Sequence, residues 1–284
     1  MTENKNSIIR KRVIGTSACV GVLLAYFLLT NLAKMVTKAI FENEYSLVSM
    51  TFKELIYAVL ALVLGAVLSK PPAKMLSIPH SSSKRRLFLR FFLMLTLIYF
   101  PLSIIVNIMM QRLNEKVLTL RPADEIMCFV ILMLLIGIAE ETMFRGIIAS
   151  SMKNIFGKKN LDIASFISGL SFGLFHLVNL SIANTEGVLC QVCSAAAAGM
   201  IFTDLYYLTG TLWPCIVYHA ITDFGCLMGF GLFGIGAVGD IISSYSPVMC
   251  IVPAIYITVK AVFIVRKRSS HQKRTAGISG KVYE

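Results

Sequence analysis

Eight long apolar stretches, separated by short polar connections, dominate this sequence. A helix needs about 20 mostly apolar residues to cross the hydrocarbon core of a bilayer. Because hydrocarbon offers no hydrogen-bond partners to the backbone, spanning segments of this length are α-helices. We therefore predict an all-α polytopic transmembrane bundle of about eight helices, with seven as the alternative count, at roughly 13–33, 54–69, 87–110, 125–150, 162–183, 188–208, 212–232 and 245–265.

Composition agrees with a chain that lies almost wholly in the membrane. Hydrophobic residues make up 56% of the 284 residues, against roughly 45–50% in soluble domains. The mean hydropathy is +0.75, and no soluble stretch separates the apolar segments. We predict one membrane-embedded domain at 13–265, a cytoplasmic tail at 1–12 and a basic cytoplasmic tail at 266–284.

The distribution of basic residues predicts the orientation of the chain. The net charge of +12 would suit a nucleic-acid partner, but these residues gather in short loops and tails. There they set membrane topology and contact anionic lipid. With the N-terminus inside, the predicted cytoplasmic segments hold 19 Lys and Arg residues and the opposite loops hold six. We therefore expect both termini in the cytoplasm, a multi-pass protein of the cell membrane, the lipid bilayer as a partner and no nucleic acid.

Three of the apolar stretches carry ionisable side chains where a bilayer disfavours them. An ionised carboxylate at the centre of a spanning helix costs about 2.5–3.5 kcal/mol on insertion scales, so such residues generally serve a function. The helical rise places the three sets at overlapping depths in the membrane. The residues concerned are Glu140, Glu141, Arg145, His176, His219 and Asp223.

The spacing of these residues favours acid–base chemistry. Glu141 and Arg145 are four apart and can pair, and His219 shares one helix face with Asp223. A carboxylate and an imidazole in one apolar cavity can activate a water molecule. A second imidazole with a hydrogen-bonding neighbour can stabilise the oxyanion that forms when water adds to an amide. This equipment suits peptide-bond hydrolysis without a covalent intermediate.

Three motifs resemble those of the CAAX protease and bacteriocin-processing (CPBP) family of intramembrane proteases. They are E-E-x-x-x-R from Glu140, F-x-x-x-H ending at His176, and H-x-x-x-N/D from His219, and the similarity covers roughly 125–230. The resemblance implies an eight-helix endopeptidase of the glutamate-dependent kind. Glu140 and His176 would activate water, and His219 with Asp223 would form the oxyanion hole.

Position 223 is Asp where the best-understood family members have Asn. An ionised Asp cannot donate a hydrogen bond to an oxyanion. Asp223 would therefore either be protonated or serve to orient His219. Glu141 and Arg145 are expected to support the site as a buried pair.

A metal mechanism is the main chemical alternative. Two histidines with carboxylates can form a zinc site with an open position, and its ligands here would be Glu140, His176 and His219. The H-E-x-x-H motif of zinc proteases is absent from the sequence. The favoured interpretation therefore requires no cofactor.

The expected substrate is a membrane-associated peptide or protein. The resemblance further suggests peptide or bacteriocin processing, or self-immunity to bacteriocins. Two other classes remain open at this point. Intramembrane Glu, His and Asp also form the relays of proton-coupled transporters and channels, and the chain could be a catalytically silent partner that binds another membrane protein.

Overall fold

The computed structural model describes residues 5–43, 46–69, 72–77, 81–94, 97–98, 100–113 and 117–280. All regular structure within these ranges is helical, which confirms the all-α prediction. The α-helices are α1 Lys5–Ile40, α2 Leu47–Leu68, α3 Pro72–Met75, α4 Ser82–Met94, α5 Phe100–Leu113, α6 Ala123–Glu141, α7 Ser150–Phe156, α8 Leu161–Phe175, α9 Thr185–Thr209, α10 Trp213–Phe233, α11 Val238–Ser243 and α12 Ile251–Gly280. A π-helix spans Thr142–Ala149, and 3₁₀-helices span Lys158–Asn160, His176–Ser181 and Pro247–Cys250.

Polar caps and glycines fix the ends of the central helices. The side chain of Asn184 accepts a hydrogen bond from the backbone N–H of Gly187 and so caps the start of α9. Gly210 and Gly234 follow α9 and α10 with φ of 81° and 66°. Only a residue without Cβ takes up this left-handed conformation at little cost, so each glycine ends its helix.

Within the described residues, seven helices are long and apolar enough to cross a bilayer. The protein is therefore a multi-pass membrane protein. In the predicted span at 87–110, α4 covers residues 87–94, residues 97–98 are π-helical and α5 covers residues 100–110. Residues 95, 96 and 99 lie outside the described residues, so a single span here stays a prediction. The helices at both ends of the chain also reach into the predicted tails, of which residues 1–4 and 281–284 lie outside the described residues.

Backbone contacts at both ends of α10 show that the chain between α3 and α6 still crosses the bundle. At the start of α10, the N–H of Leu212 donates to Met75 O at 3.0 Å. At its other end, the N–H of Arg121 donates to Leu232 O at 2.8 Å. Residues 75 and 121 therefore lie at opposite ends of a 21-residue helix. The prediction of eight spanning helices would account for this change of side. The number of passes and the side on which the two termini lie stay predictions.

The two ends of the bundle are named here by their residues. The Met75 end holds residues 72–77, 157–160 and 210–212, and the Arg121 end holds residues 117–122, 182–184 and 234–246. The Met75 end corresponds to the side predicted to be cytoplasmic. That assignment to a compartment stays a prediction.

Small residues allow α8 and α9 to pack closely. A Cβ on Gly173 would lie 2.6 Å from Val192 O, and one on Gly169 would lie 2.6 Å from Met200 N. Close approach through small residues is the usual way in which membrane helices associate. This contact holds α8, which ends just before His176, against α9. Both helices line the cavity described below.

Candidate active site

The four predicted catalytic residues, Glu140, His176, His219 and Asp223, line one cavity of about 430 Å³. Four helices form its walls, namely α6, α8, α9 and α10, while α11 and the residues that follow it lie at the Arg121 end. Most of the lining is apolar, with Phe, Ile, Leu and Val side chains. Ligand-binding pockets typically have volumes of 300–1,000 Å³, so this cavity can hold a short segment of substrate.

His219 lies at the centre of the polar groups. Its Nδ1 is 2.9 Å from Glu141 Oε1, and its Nε2 is 3.3 Å from Asp223 Oδ2. The same Nε2 is 3.6 Å from Glu140 Oε2, which is within ion-pair range but beyond hydrogen-bond distance. One imidazole therefore lies among three carboxylates that come from two helices.

The Glu141–Arg145 pair forms as the spacing predicts, and it is completely buried. Arg145 Nη1 donates to Glu141 Oε1 at 2.8 Å, and both side chains are 0% exposed. The guanidinium lies between two aromatic rings, 4.4 Å from the Phe172 centroid and 5.0 Å from that of Phe202. Such stacking is favourable for an Arg removed from water. The positive charge of Arg145 thus balances the negative charge of Glu141. Glu141 also accepts a hydrogen bond from the Nδ1–H of His219.

Glu140 differs from Glu141 in that it reaches the cavity. Its side chain is 18% exposed, and its Oε2 is a buried oxygen without a hydrogen-bond partner among the described residues. Buried polar atoms are nearly always paired, so an unpaired one needs a reason such as a bound water or substrate. The position of Glu140 therefore suits contact with a molecule in the cavity.

His176 begins the 3₁₀-helix that follows α8, and its ring is held by the preceding turn. Its Nδ1 lies 2.9 Å from Phe172 O, and the two rings pack edge to face with centroids 4.9 Å apart. When Nδ1 carries the proton, it donates to this carbonyl and leaves Nε2 as an acceptor. The structure brings His176 into the cavity without a direct hydrogen bond to Glu140 among the described residues.

Two groups at or near the cavity, Gln191 and Glu54, escaped the sequence-based reasoning. Gln191 lines the cavity together with Asn179, which the sequence suggested only as a hydrogen-bonding residue between helices, and Asn179 Nδ2 donates to Gln191 Oε1 at 2.8 Å. Glu54 is 9% exposed on α2, which begins at Leu47 rather than at the predicted residue 54. A carboxylate seven residues inside an apolar helix was the available signal for Glu54.

The metal alternative would require three or more ligating side chains around one position. Within the described ranges, no three His, Cys, Asp or Glu side chains are grouped so that they could hold a metal ion. His219 Nδ1 is engaged by Glu141 at 2.9 Å. No step below is therefore assigned to a metal.

Fold and site together define a multi-pass membrane protein with an acid–base cluster buried in its helical bundle. Residues 122–225 match a protein-family model described as Type II CAAX prenyl endopeptidase Rce1-like. The match confirms the resemblance over this part of the chain, which contains all three motifs and carries an Rce1-like domain of the CPBP family. It supports an intramembrane protease of the CAAX type in general. No curated protein matches the chain.

Proposed function

We propose that the protein is an intramembrane endopeptidase in which Glu140, together with His176, activates the attacking water. The observation that carries this proposal is the unpaired Glu140 Oε2 in an apolar cavity that two imidazoles also line. Among the described residues, its nearest possible cation, His219 Nε2, is 3.6 Å away and beyond hydrogen-bond distance, whereas Glu141 is bonded to Arg145 at 2.8 Å. Glu140 is therefore free to accept a proton from water.

The proposed reaction needs only water and the substrate. Glu140 takes a proton from a water molecule while His176 Nε2 orients that water, and the hydroxide adds to the carbonyl carbon of the scissile amide. The oxyanion then collapses, the C–N bond breaks, and the proton held by Glu140 passes to the leaving nitrogen. The products are a carboxylate and an amine.

His219 is the proposed stabiliser of the oxyanion. Glu141 accepts from Nδ1 and fixes the ring, so a proton on Nε2 points into the space shared by Glu140 and Asp223. In its imidazolium form His219 would donate from both nitrogens. The 3.3 Å distance between Nε2 and Asp223 Oδ2 favours Asp223 as the group that orients His219, in preference to a direct donor.

The proposed substrate is a membrane-associated peptide or protein, and the proposed location is the cell membrane with both termini in the cytoplasm. The apolar lining of the cavity favours apolar and small side chains next to the scissile bond. Peptide or bacteriocin processing and self-immunity are the biological roles that we propose for such an activity.

The test uses the purified full chain in lipid vesicles with short synthetic peptides, some unmodified and some carrying a C-terminal prenylated cysteine. Wild type is compared with Glu140→Gln and His176→Ala, and Glu125→Gln is the control because Glu125 lies outside the cavity. We expect the two site variants to lose roughly 10²–10⁴-fold in kcat/KM, the usual contribution of a general base, and the control to cleave like wild type.

Each other result points to another explanation. Equal cleavage by wild type and Glu140→Gln would refute the role of Glu140, and loss of cleavage with a chelator would reinstate a metal mechanism. Proton-coupled solute flux without any peptide cleavage would identify a transporter. A cellular phenotype that survives both site substitutions would identify a binding partner without catalysis.

A further inference from the structure

Asn179 and Gln191 form an amide pair on the cavity wall that the proposed reaction does not use. Asn179 belongs to the 3₁₀-helix His176–Ser181, and Gln191 belongs to α9. Their mutual hydrogen bond is 2.8 Å long. Among the described residues the structure gives neither side chain another partner, so Asn179 Oδ1 remains an unused acceptor and Gln191 Nε2 remains an unused donor.

The local helix type aligns Asn179 with His176. In a 3₁₀-helix, side chains at i and i+3 lie above one another, and the rise is about 2 Å per residue. His176 and Asn179 have this spacing, and both line the cavity. The amide pair therefore lies roughly 6 Å from His176 along the helix axis, toward the Arg121 end.

The cavity has the length of a short extended peptide. Along α9 its lining runs from Gln191 to Phe202, which corresponds to about 16 Å at 1.5 Å per residue. The Phe202 ring is 6.0 Å from that of His219. An extended chain advances about 3.3 Å per residue, so about five residues fit, and 6 Å corresponds to roughly two residues.

A substrate in this cavity must have unwound backbone, because a protease attacks an amide whose carbonyl is accessible. Unwound backbone at membrane depth is tolerated only where each N–H and C=O finds a partner. Hydrogen bonds to an extended peptide backbone are a general means of recognition that does not depend on sequence. The amide pair offers one acceptor, Asn179 Oδ1, and one donor, Gln191 Nε2. One residue of a peptide backbone needs one acceptor for its N–H and one donor for its C=O.

We propose that Asn179 and Gln191 form a subsite for the substrate backbone, about two residues from the scissile bond, in which Asn179 Oδ1 accepts a peptide N–H and Gln191 Nε2 donates to a peptide C=O. The inference rests on the proposed protease function and adds the mode of substrate binding to it. Both are positioning residues, because neither contacts the reacting atoms. The subsite holds main chain, so it tolerates different side chains at the position that it binds.

The experiment combines isosteric variants with an ester scan of the substrate. Wild type, Asn179→Leu and Gln191→Met are assayed in vesicles on the synthetic peptide that wild type cleaves fastest, and on analogues in which one backbone N–H at a time is replaced by an ester oxygen. Ser181→Ala is the control, since this exposed serine lies on the same 3₁₀-helix outside the cavity.

Loss of one hydrogen bond should reduce kcat/KM roughly 3- to 10-fold. In wild type, the ester should have this effect at a position about two residues from the scissile bond. In Asn179→Leu that same ester should have no further effect, because the acceptor is already gone, and Ser181→Ala should keep the wild-type profile. A merely structural role for Asn179 would lower the rate but leave the ester effect unchanged.

The outcomes separate this inference from the function on which it rests. If Glu140→Gln abolishes cleavage while Asn179→Leu and Gln191→Met retain the wild-type ester profile, the subsite is refuted and the protease stands. If wild type cleaves no peptide, or Glu140→Gln cleaves as well as wild type, the proposed function is overturned and the subsite with it.

Discussion

The stability of the Glu141–Arg145 pair can be tested by replacing Arg145 with Met, which keeps an unbranched apolar chain but removes the charge. Both members of the pair are 0% exposed, so the variant leaves the buried carboxylate of Glu141 without its permanent countercharge and with His219 as its remaining partner. Breaking a buried pair in this way costs about 3–5 kcal/mol. The loss of two aromatic contacts to the guanidinium is part of this figure.

The double variant Glu141→Gln/Arg145→Met separates the charge effect from packing. A neutral Gln can still accept the Nδ1–H of His219 through its carbonyl oxygen, and no buried charge remains unpaired. We expect the double variant to recover all but about 1–2 kcal/mol, the part attributable to lost cation–π contacts. The single variant is therefore less stable than the double one, although it carries fewer changes.

The assay is thermal unfolding of the purified chain in detergent. At roughly 2–4 °C per kcal/mol for larger domains, Arg145→Met should lower Tm by about 6–20 °C. Glu125→Gln is the control, because its partner Arg121 also lies four residues away but the pair is partly exposed, 27% for Arg121 and 36% for Glu125. Such pairs contribute about 1 kcal/mol or less. A double variant as unstable as Arg145→Met would refute the argument.

Two further predictions concern packing around the site. Gly173→Ala places a Cβ 2.6 Å from Val192 O, a backbone atom that cannot rotate away, so we expect a loss of about 1–3 kcal/mol in thermal unfolding. Gly21→Ala, where nothing lies within 4 Å, should be neutral or slightly stabilising, and equal effects of the two would contradict this account. Lys260 Nζ on α12 donates to Ser165 Oγ at 2.7 Å and to Asp204. Lys260→Met should therefore lower Tm. The double variant Lys260→Met/Asp204→Asn should recover part of the lost Tm, because it leaves no carboxylate without its partner. A double variant with a still lower Tm would show that the ion pair does not hold α12.

The sequence was sufficient for the fold class and for the prediction that four ionisable residues from three segments lie close together. Spacing within one helix decides whether two residues share a face, so Glu141 with Arg145 and His219 with Asp223 were both predictable. The helical rise placed residues from three segments at similar depth, and all four predicted catalytic residues line one cavity. Their chemical roles stay predictions until cleavage is measured.

Contacts between helices were beyond sequence reasoning. The hydrogen bond from His219 Nδ1 to Glu141 depends on how α6 and α10 are rotated toward each other, and periodicity within either helix does not determine that rotation. The same holds for Asn179 and Gln191, which meet only because α9 packs against the 3₁₀-helix.

The two helical segments that follow Glu141 and α10 differ in how well they are packed. All eight residues of the π-helix Thr142–Ala149, which directly follows Glu141, are buried. By contrast, α11, which follows α10, has six residues, of which Ile242 alone is buried. Local opening requires least free energy where few apolar contacts are lost. We therefore expect that local opening of the cavity begins at α11 and the turn after it, and that the buried contacts among Glu140, Glu141 and His219 are not broken by it.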